Sequence, residues 1–180
     1  MGENTYNWLE NVTVKNQVAK ILETNAYAEH YGLSLSEEEA KLLVTEQKHS
    51  LQEQRRVEFG QSILPQIIQE FCDSAYIDQN NYAETLIRLQ DIFYLYKNEM
   101  MDEITDDELL HFMKEQFETI CYGDLSYLEE TCLAIFAQAI RAGYNDYQTS
   151  EGYSGLKKLD IVPRWDKGLF LKALEELCEG

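Results

Sequence analysis

Apolar residues recur at intervals of three and four along the first 140 residues, and this spacing constrains the fold more than any other feature of the sequence. Residues spaced in this way share one face of an α-helix, because 3.6 residues make one turn. The chain has only two prolines and nine glycines, so the turn residues that an all-β chain needs are scarce. We therefore expect an all-α fold, a helical bundle of about six to seven helices.

The apolar spacing and the capping residues together define the expected helices. Ser36 with Glu39, and Thr105 with Glu108, match the capping box that begins a helix. Ser62 is expected to cap the helix that has Pro65 in its first turn, because proline is tolerated there and not in a helix interior. Asp124 is expected to cap a further helix. The predicted helices span about 12–29, 36–55, 62–72, 81–100, 105–123, 124–140 and 166–178.

The whole chain, residues 1–180, is interpreted as a single helical domain, since this length buries a sufficient core. Residues 1–10 are expected to be disordered. Residues 143–165 are rich in tyrosine and glycine and predict an ordered loop that packs on the bundle before the C-terminal helix. Its tyrosines, Tyr144, Tyr147 and Tyr153, would pack the loop onto the bundle or line a ligand or peptide groove.

Charge and cysteine content narrow the classes of partner. The sequence has 15 Lys and Arg against 33 Asp and Glu, a formal net charge of −18, which repels nucleic acid. This acidity favours solubility, or else attracts a basic protein for which the chain acts as an acidic decoy. No cysteine belongs to a C-x-x-C pair, and we expect reduced, buried thiols. The cysteines are Cys72, Cys121, Cys132 and Cys178.

Targeting signals are missing from the sequence pattern. The N-terminal residues have neither the basic nor the apolar region of a signal peptide, and Tyr6 stands where a myristoylation signal requires Ser or Thr. No apolar run has the length of a membrane span. We expect a cytoplasmic protein that does not bind a membrane.

Two Glu-x-x-His pairs, Glu46–His49 and Glu108–His111, match the spacing used in helical di-iron sites. At about 100° per residue, however, both pairs point away from the apolar stripes of their helices. Glu108 is also the acid of a capping box. We therefore expect no metal and no cofactor.

Five polar residues lie next to strongly apolar segments, where a charged group must find a partner or serve a function. They would form either an internal salt-bridge network or part of a pocket between helices. No catalytic residue can be assigned to them by pattern. The five are Arg56, Glu58, Tyr94, Lys97 and Glu99.

The fourth predicted helix is apolar on all sides from Ile92 to Tyr96. Such a helix lies at the centre of a bundle or is covered by a second chain. Aromatic residues are also enriched at interface cores, and homodimers are the commonest soluble assemblies. A homodimer with Tyr94 or Leu95 in or near the contact is therefore predicted.

Several strings resemble a known family. They are RVEFG from Arg56, ILP from Ile63, FCDS from Phe71, NYAETL from Asn81, IFYLYKNE from Ile92 and GDLSYLEET from Gly123. Over about residues 31–147 the chain resembles a family of uncharacterised cytosolic proteins from Firmicutes, catalogued as a domain of unknown function. The resemblance implies a bacterial protein and brings no activity and no site residues.

Two functional hypotheses follow. The first is a non-catalytic protein-interaction or regulatory module that binds another protein or a second copy of itself. The alternative is a small-molecule-binding protein or enzyme whose pocket lies between helices and uses the five polar residues.

Overall fold

A computed structural model describes residues 3–141 of the chain, and its side chains from residue 11 onward. The described residues contain helices and their connections and no strand, which confirms the all-α class. The α-helices are α1 (Glu3–Glu23), α2 (Asn25–Ala28), α3 (Glu37–Glu53), α4 (Leu64–Phe71), α5 (Tyr82–Glu99), α6 (Asp106–Thr119), α7 (Leu125–Tyr127) and α8 (Ala134–Arg141). A 3₁₀ turn (Glu29–Tyr31) follows α2, and a π-helical segment (Leu128–Leu133) joins α7 to α8.

Helix α5 lies at the centre of the bundle, because it packs against α3, α4 and α6. Helix α1 covers α3 and α4, while the π segment packs on α6. Tyr82 and Leu89 of α5, and Met100 at its C-cap, are buried. The core is therefore built around α5 by the apolar stripes of its neighbours.

Three of the four predicted helix caps are confirmed. Both capping boxes form, with Ser36 and Thr105 accepting from the backbone N–H groups of Glu39 and Glu108. Asp124 accepts from the N–H of Tyr127 at 3.0 Å. Such caps satisfy backbone donors that have no partner within the helix.

The start of α4 corrects one prediction. The N-cap is Ile63 rather than Ser62, and Pro65 lies in the first turn as expected. The Ser62 hydroxyl still accepts from the N–H of Leu64, at 3.2 Å. The difference arises because the first α-helical hydrogen bond runs from the N–H of Ile67 to the carbonyl of Ile63, at 3.0 Å.

Two of the predicted helices also differ from those in the structure. The first helix runs from Glu3 to Glu23 instead of about 12–29. It ends where the Thr24 hydroxyl donates to the carbonyl of Ile21, a side-chain bond that competes with the helical ladder. The predicted helix at 124–140 is divided by the π segment.

The predicted loop at 143–165 and the C-terminal helix, with Tyr144, Tyr147, Tyr153 and Cys178, lie outside the described residues.

Candidate functional site

The connection between α3 and α4 alternates between inward and outward side chains. Arg56 and Glu58 are half-buried, whereas Val57 and Phe59 are exposed by 72% and 89%. An alternation with a period of two is typical of extended backbone. The connection thus holds two polar side chains against the bundle and presents two apolar ones to solvent.

Glu58 fixes this connection to the bundle through a buried hydrogen-bond network. Its Oε1 accepts from the Tyr94 hydroxyl and from the N–H of Ile63, both at 2.9 Å. Gln47 Nε2 lies 2.7 Å from Glu58 Oε2, 2.7 Å from Ser62 Oγ and 2.9 Å from the Tyr94 oxygen. An amide nitrogen carries two hydrogens, so two of these three acceptors are served at a time. The network ties α3, α4 and α5 to one carboxylate.

Burial governs the protonation of this network. Burial raises the pKa of the Glu58 carboxyl, although the hydrogen bonds from Tyr94 and Ile63 oppose the rise. Burial and the neighbouring Glu58 carboxylate raise the pKa of the Tyr94 hydroxyl. The tyrosine therefore remains a hydrogen-bond donor to Glu58 across the physiological pH range.

Arg56 and Lys97 converge on a pair of aspartates at the end of α5 and the start of α6. The Arg56 guanidinium forms a two-pronged bond to Asp102, at 2.7 and 3.1 Å. Lys97 is only 5% exposed, and its Nζ donates to the carbonyl of Ile104 at 2.7 Å and lies 2.9 Å from Asp106. The contact with Arg56 lowers the pKa of Asp102. These charges are compensated within the chain.

Backbone strain is concentrated beside this polar cluster. Arg55, Met101 and Asp102 have positive φ angles of 52°, 51° and 57°, although none of them is glycine. Such angles are unfavourable for residues with a Cβ and commonly mark functional sites. The strained pair Met101–Asp102 lies at the turn that brings the Asp102 carboxylate to Arg56.

A pocket of about 230 Å³ lies between this connection and the bundle. Its apolar lining comes from Leu51, Val57, Phe59 and Phe93, with the ring of Tyr94. Its polar lining comes from Arg56, Glu58, Gln61 and Asp106. Phe59 lines the pocket and is otherwise open to solvent. The arrangement is a small concave surface beside two exposed apolar side chains.

The structure brings together four of the five polar residues expected to form a network or pocket. Arg56, Glu58, Tyr94 and Lys97 belong to this cluster. Glu99 does not, because it faces α8, where Arg141 donates to it at 2.7 Å. Glu99 was included in the prediction because it is a charged residue next to the apolar stretch of α5, and this rule does not say which way its side chain faces.

Several members of the cluster were not predicted as site residues. Gln47 is one of the buried residues of α3, and its contact with Tyr94 at 2.9 Å gives this polar position a specific role in the network. Asn98, which accepts from Arg56 at 2.7 Å, and the aspartates that pair with Arg56 and Lys97 were also missed. Their partners lie more than forty residues away in the sequence or across a turn, and the helical spacing of three or four residues does not predict such contacts.

The two Glu-x-x-His pairs lie on outer faces of their helices. His49 is 64% exposed and lies 3.8 Å from Glu53, and His111 lies 3.6 Å from Glu70. Glu108 completes its capping box. Among the described side chains, residues 11–141, no group of three or more His, Cys, Asp and Glu is arranged to hold a metal ion.

The fold and the site define a helical bundle with one internally satisfied polar cluster and a small pocket beside it. A comparison with protein families matches residues 20–146 to a family of unknown function, DUF6323. The match covers more than half of the chain, so the protein belongs to this family. The comparisons with curated proteins and with solved structures found no match. Among the described helices, none combines the length and apolar character required to cross a membrane.

Proposed function

We propose that this protein is a non-catalytic protein-interaction module whose contact surface is the α3–α4 connection. The observation that carries the proposal is the exposure of Val57 and Phe59 on a connection that Glu58 fixes to the core. An exposed aromatic side chain on a rigid support is an effective anchor for a protein partner, because little conformational freedom is lost on binding.

The partner we propose is a protein segment with an apolar side chain flanked by basic residues. The apolar side chain would contact Phe59 and enter the pocket of about 230 Å³. The basic residues would be attracted by the net charge of −18, which steers a positively charged partner towards the surface.

The pocket is less suited to the alternative function, a small-molecule site or an enzyme. Small-molecule pockets usually enclose about 300–1,000 Å³, which exceeds the volume found here. The polar groups of the cluster also satisfy one another, as Arg56 does with Asp102 and Glu58 with Tyr94. A catalytic group needs free hydrogen-bonding capacity towards a substrate, and this network leaves little.

Site-specific photo-cross-linking tests the proposal. A photo-reactive phenylalanine analogue replaces Phe59 in one variant and Tyr122 in the control, because Tyr122 is also strongly exposed. Asp106 at the pocket begins α6, and Tyr122 follows the far end of this 14-residue helix, which is about 20 Å long. Cross-linking takes place in cells that make the protein, and adducts are identified by mass spectrometry.

We expect one protein to be cross-linked at position 59 and not at position 122. The purified partner should then bind the wild-type chain and lose at least tenfold in affinity for Phe59→Ser, as expected for an aromatic anchor. If the adducts contained only a second copy of this chain, the partner at this surface would be the protein itself, in a homodimer, and not a different protein. Equal labelling at the two positions would refute the proposed surface.

A further inference from the structure

Two of the cysteines lie in contact at the end of α6 that is remote from the pocket. The Sγ atoms of Cys121 and Cys132 are 3.6 Å apart. Both thiols are nearly buried, at 5% and 2% exposed. A disulfide bond is about 2.05 Å long, so the two sulfur atoms need to approach by only about 1.5 Å to form one.

The backbone around each cysteine departs from regular α-helix. Cys121 follows the end of α6 and precedes Tyr122 and Gly123, whose φ angles are +49° and +83°. Cys132 belongs to the π segment, Leu128–Leu133. Such segments are rare and occur frequently at functional sites. The two irregularities lie together and bring the two sulfur atoms into contact.

We propose that Cys121 and Cys132 form a redox-active dithiol, which a hydroperoxide oxidises to a disulfide and a thiol reductant restores. The site is separate from the surface proposed for partner binding. The near burial of both sulfur atoms selects a small oxidant, such as hydrogen peroxide.

The reaction is balanced with one hydroperoxide. The Cys132 sulfur attacks one peroxide oxygen, the O–O bond breaks, the leaving hydroxide takes up the Cys132 proton and departs as water, and a sulfenic acid forms. The Cys121 sulfur then attacks the Cys132 sulfur, the S–O bond breaks, and the hydroxyl leaves as a second water with the proton of Cys121. Two thiols lose two electrons in total, and hydrogen peroxide is reduced to two molecules of water.

Either sulfur can be the donor in the hydrogen bond between the two thiols. When the Cys121 S–H donates, this bond lowers the pKa of Cys132 and raises that of Cys121. A thiol with a lowered pKa carries more thiolate, the form that attacks a peroxide. In that arrangement Cys132 is the attacking sulfur and Cys121 the resolving one.

Cys72 provides a matched control within the same chain. It is as buried as the pair, at 1% exposed, but its Sγ donates to the carbonyl of Gln69. Burial raises its pKa. It should therefore resist an oxidant that reacts with the pair.

The test treats the folded protein with hydrogen peroxide in a Cys178→Ala background, which removes the thiol outside the described residues. Peptide mapping then locates any disulfide, and alkylation counts the free thiols. We expect the chain to lose two hydrogen atoms and to yield a peptide that links Cys121 to Cys132. Cys72 should react at least about tenfold more slowly than the pair. Dithiothreitol should reverse the link.

Variants sharpen the result. Cys121→Ala should leave Cys132 as a sulfenic or sulfinic acid, and Cys72→Ala should leave the disulfide unaffected. Disulfide mapping of the protein that keeps both Cys121 and Cys132 tests the proposal even if one of these variants folds poorly. Thiols that stay free in the folded chain, or a disulfide to Cys72, would overturn the proposal.

Discussion

The central helix α5 and the α3–α4 connection are both rich in aromatic and aliphatic residues, but the fold treats them in opposite ways. In α5, Ile92, Phe93, Tyr94 and Tyr96 are buried by α3, α4 and α6, and only Leu95 in this stretch is half-exposed. In the connection, Val57 and Phe59 are exposed because the alternating residues Arg56 and Glu58 occupy the inward positions.

The comparison teaches that an apolar run is not in itself an interface. The stretch from Ile92 to Tyr96 was the reason to predict a homodimer, and burial within one chain accounts for it. Tyr94 is engaged with Glu58 and Gln47 inside the bundle. The homodimer stays a prediction, and light scattering after gel filtration measures the mass that decides it.

The largest expected effect is on the free energy of unfolding, when one phenylalanine in each region is replaced by alanine. Phe93→Ala should lower the free energy of unfolding by about 3–5 kcal/mol, because it leaves a cavity in the core. Phe59→Ala should change it by about 0.5 kcal/mol or less, since the ring is almost fully exposed. Urea unfolding followed by circular dichroism measures both.

A cost of about 2 kcal/mol or more for Phe59→Ala would contradict the comparison. It would mean that Phe59 packs against the bundle and is not presented to a partner. The unchanged spectrum of the folded variant serves as the control for structure.

A smaller effect is expected from removing one hydroxyl that joins the two regions. Tyr94→Phe should cost about 1–3 kcal/mol, because Glu58 and Gln47 lose a buried partner. The matched control is Tyr82→Phe on the same helix. The buried hydroxyl of Tyr82 has no hydrogen-bond partner among the described residues, so its removal should be neutral or stabilising.

Equal losses in the two tyrosine variants would show that the Glu58 network does not distinguish Tyr94 from Tyr82. Thermal unfolding of both variants at the same pH provides the measurement.

The link between the two regions should also depend on pH. Because the folded chain raises the pKa of Glu58, the native state holds this proton more tightly than the unfolded chain does. The contribution of Glu58 to stability is therefore greatest at low pH and falls as the pH rises from the unfolded pKa, about 4.3, through the folded one. Glu58→Gln lacks this titration.

The stability difference between wild type and Glu58→Gln should thus shift against the wild type as the pH rises through this window. Urea unfolding at a series of pH values checks the sign. A shift in the opposite direction would mean that the hydrogen bonds from Tyr94 and Ile63 outweigh burial in setting the pKa.

The smallest effect is expected at the residue that the site does not include. Glu99→Gln removes an exposed ion pair with Arg141, and such pairs contribute about 1 kcal/mol or less. The variant should leave cross-linking at position 59 unchanged. A loss of cross-linking would place Glu99 in the contact surface after all.

The sequence by itself determined the helices and much of the core. The starts at Ser36 and Thr105 depend on residues three positions apart, and the inward stripes depend on residues three or four apart. Such short-range relations follow from the geometry of a single helix. The family could likewise be recognised from short strings, although no activity came with it.

Tertiary structure decided which side chains meet. Glu58 and Tyr94 are 36 residues apart, and Gln47 and Tyr94 are 47 apart. The contact between Cys121 and Cys132 depends on a π segment and a left-handed turn that no apolar spacing predicts. Periodicity specifies which face of a helix is buried, but the partner across the core is set by how the helices pack, and this is a property of the whole chain.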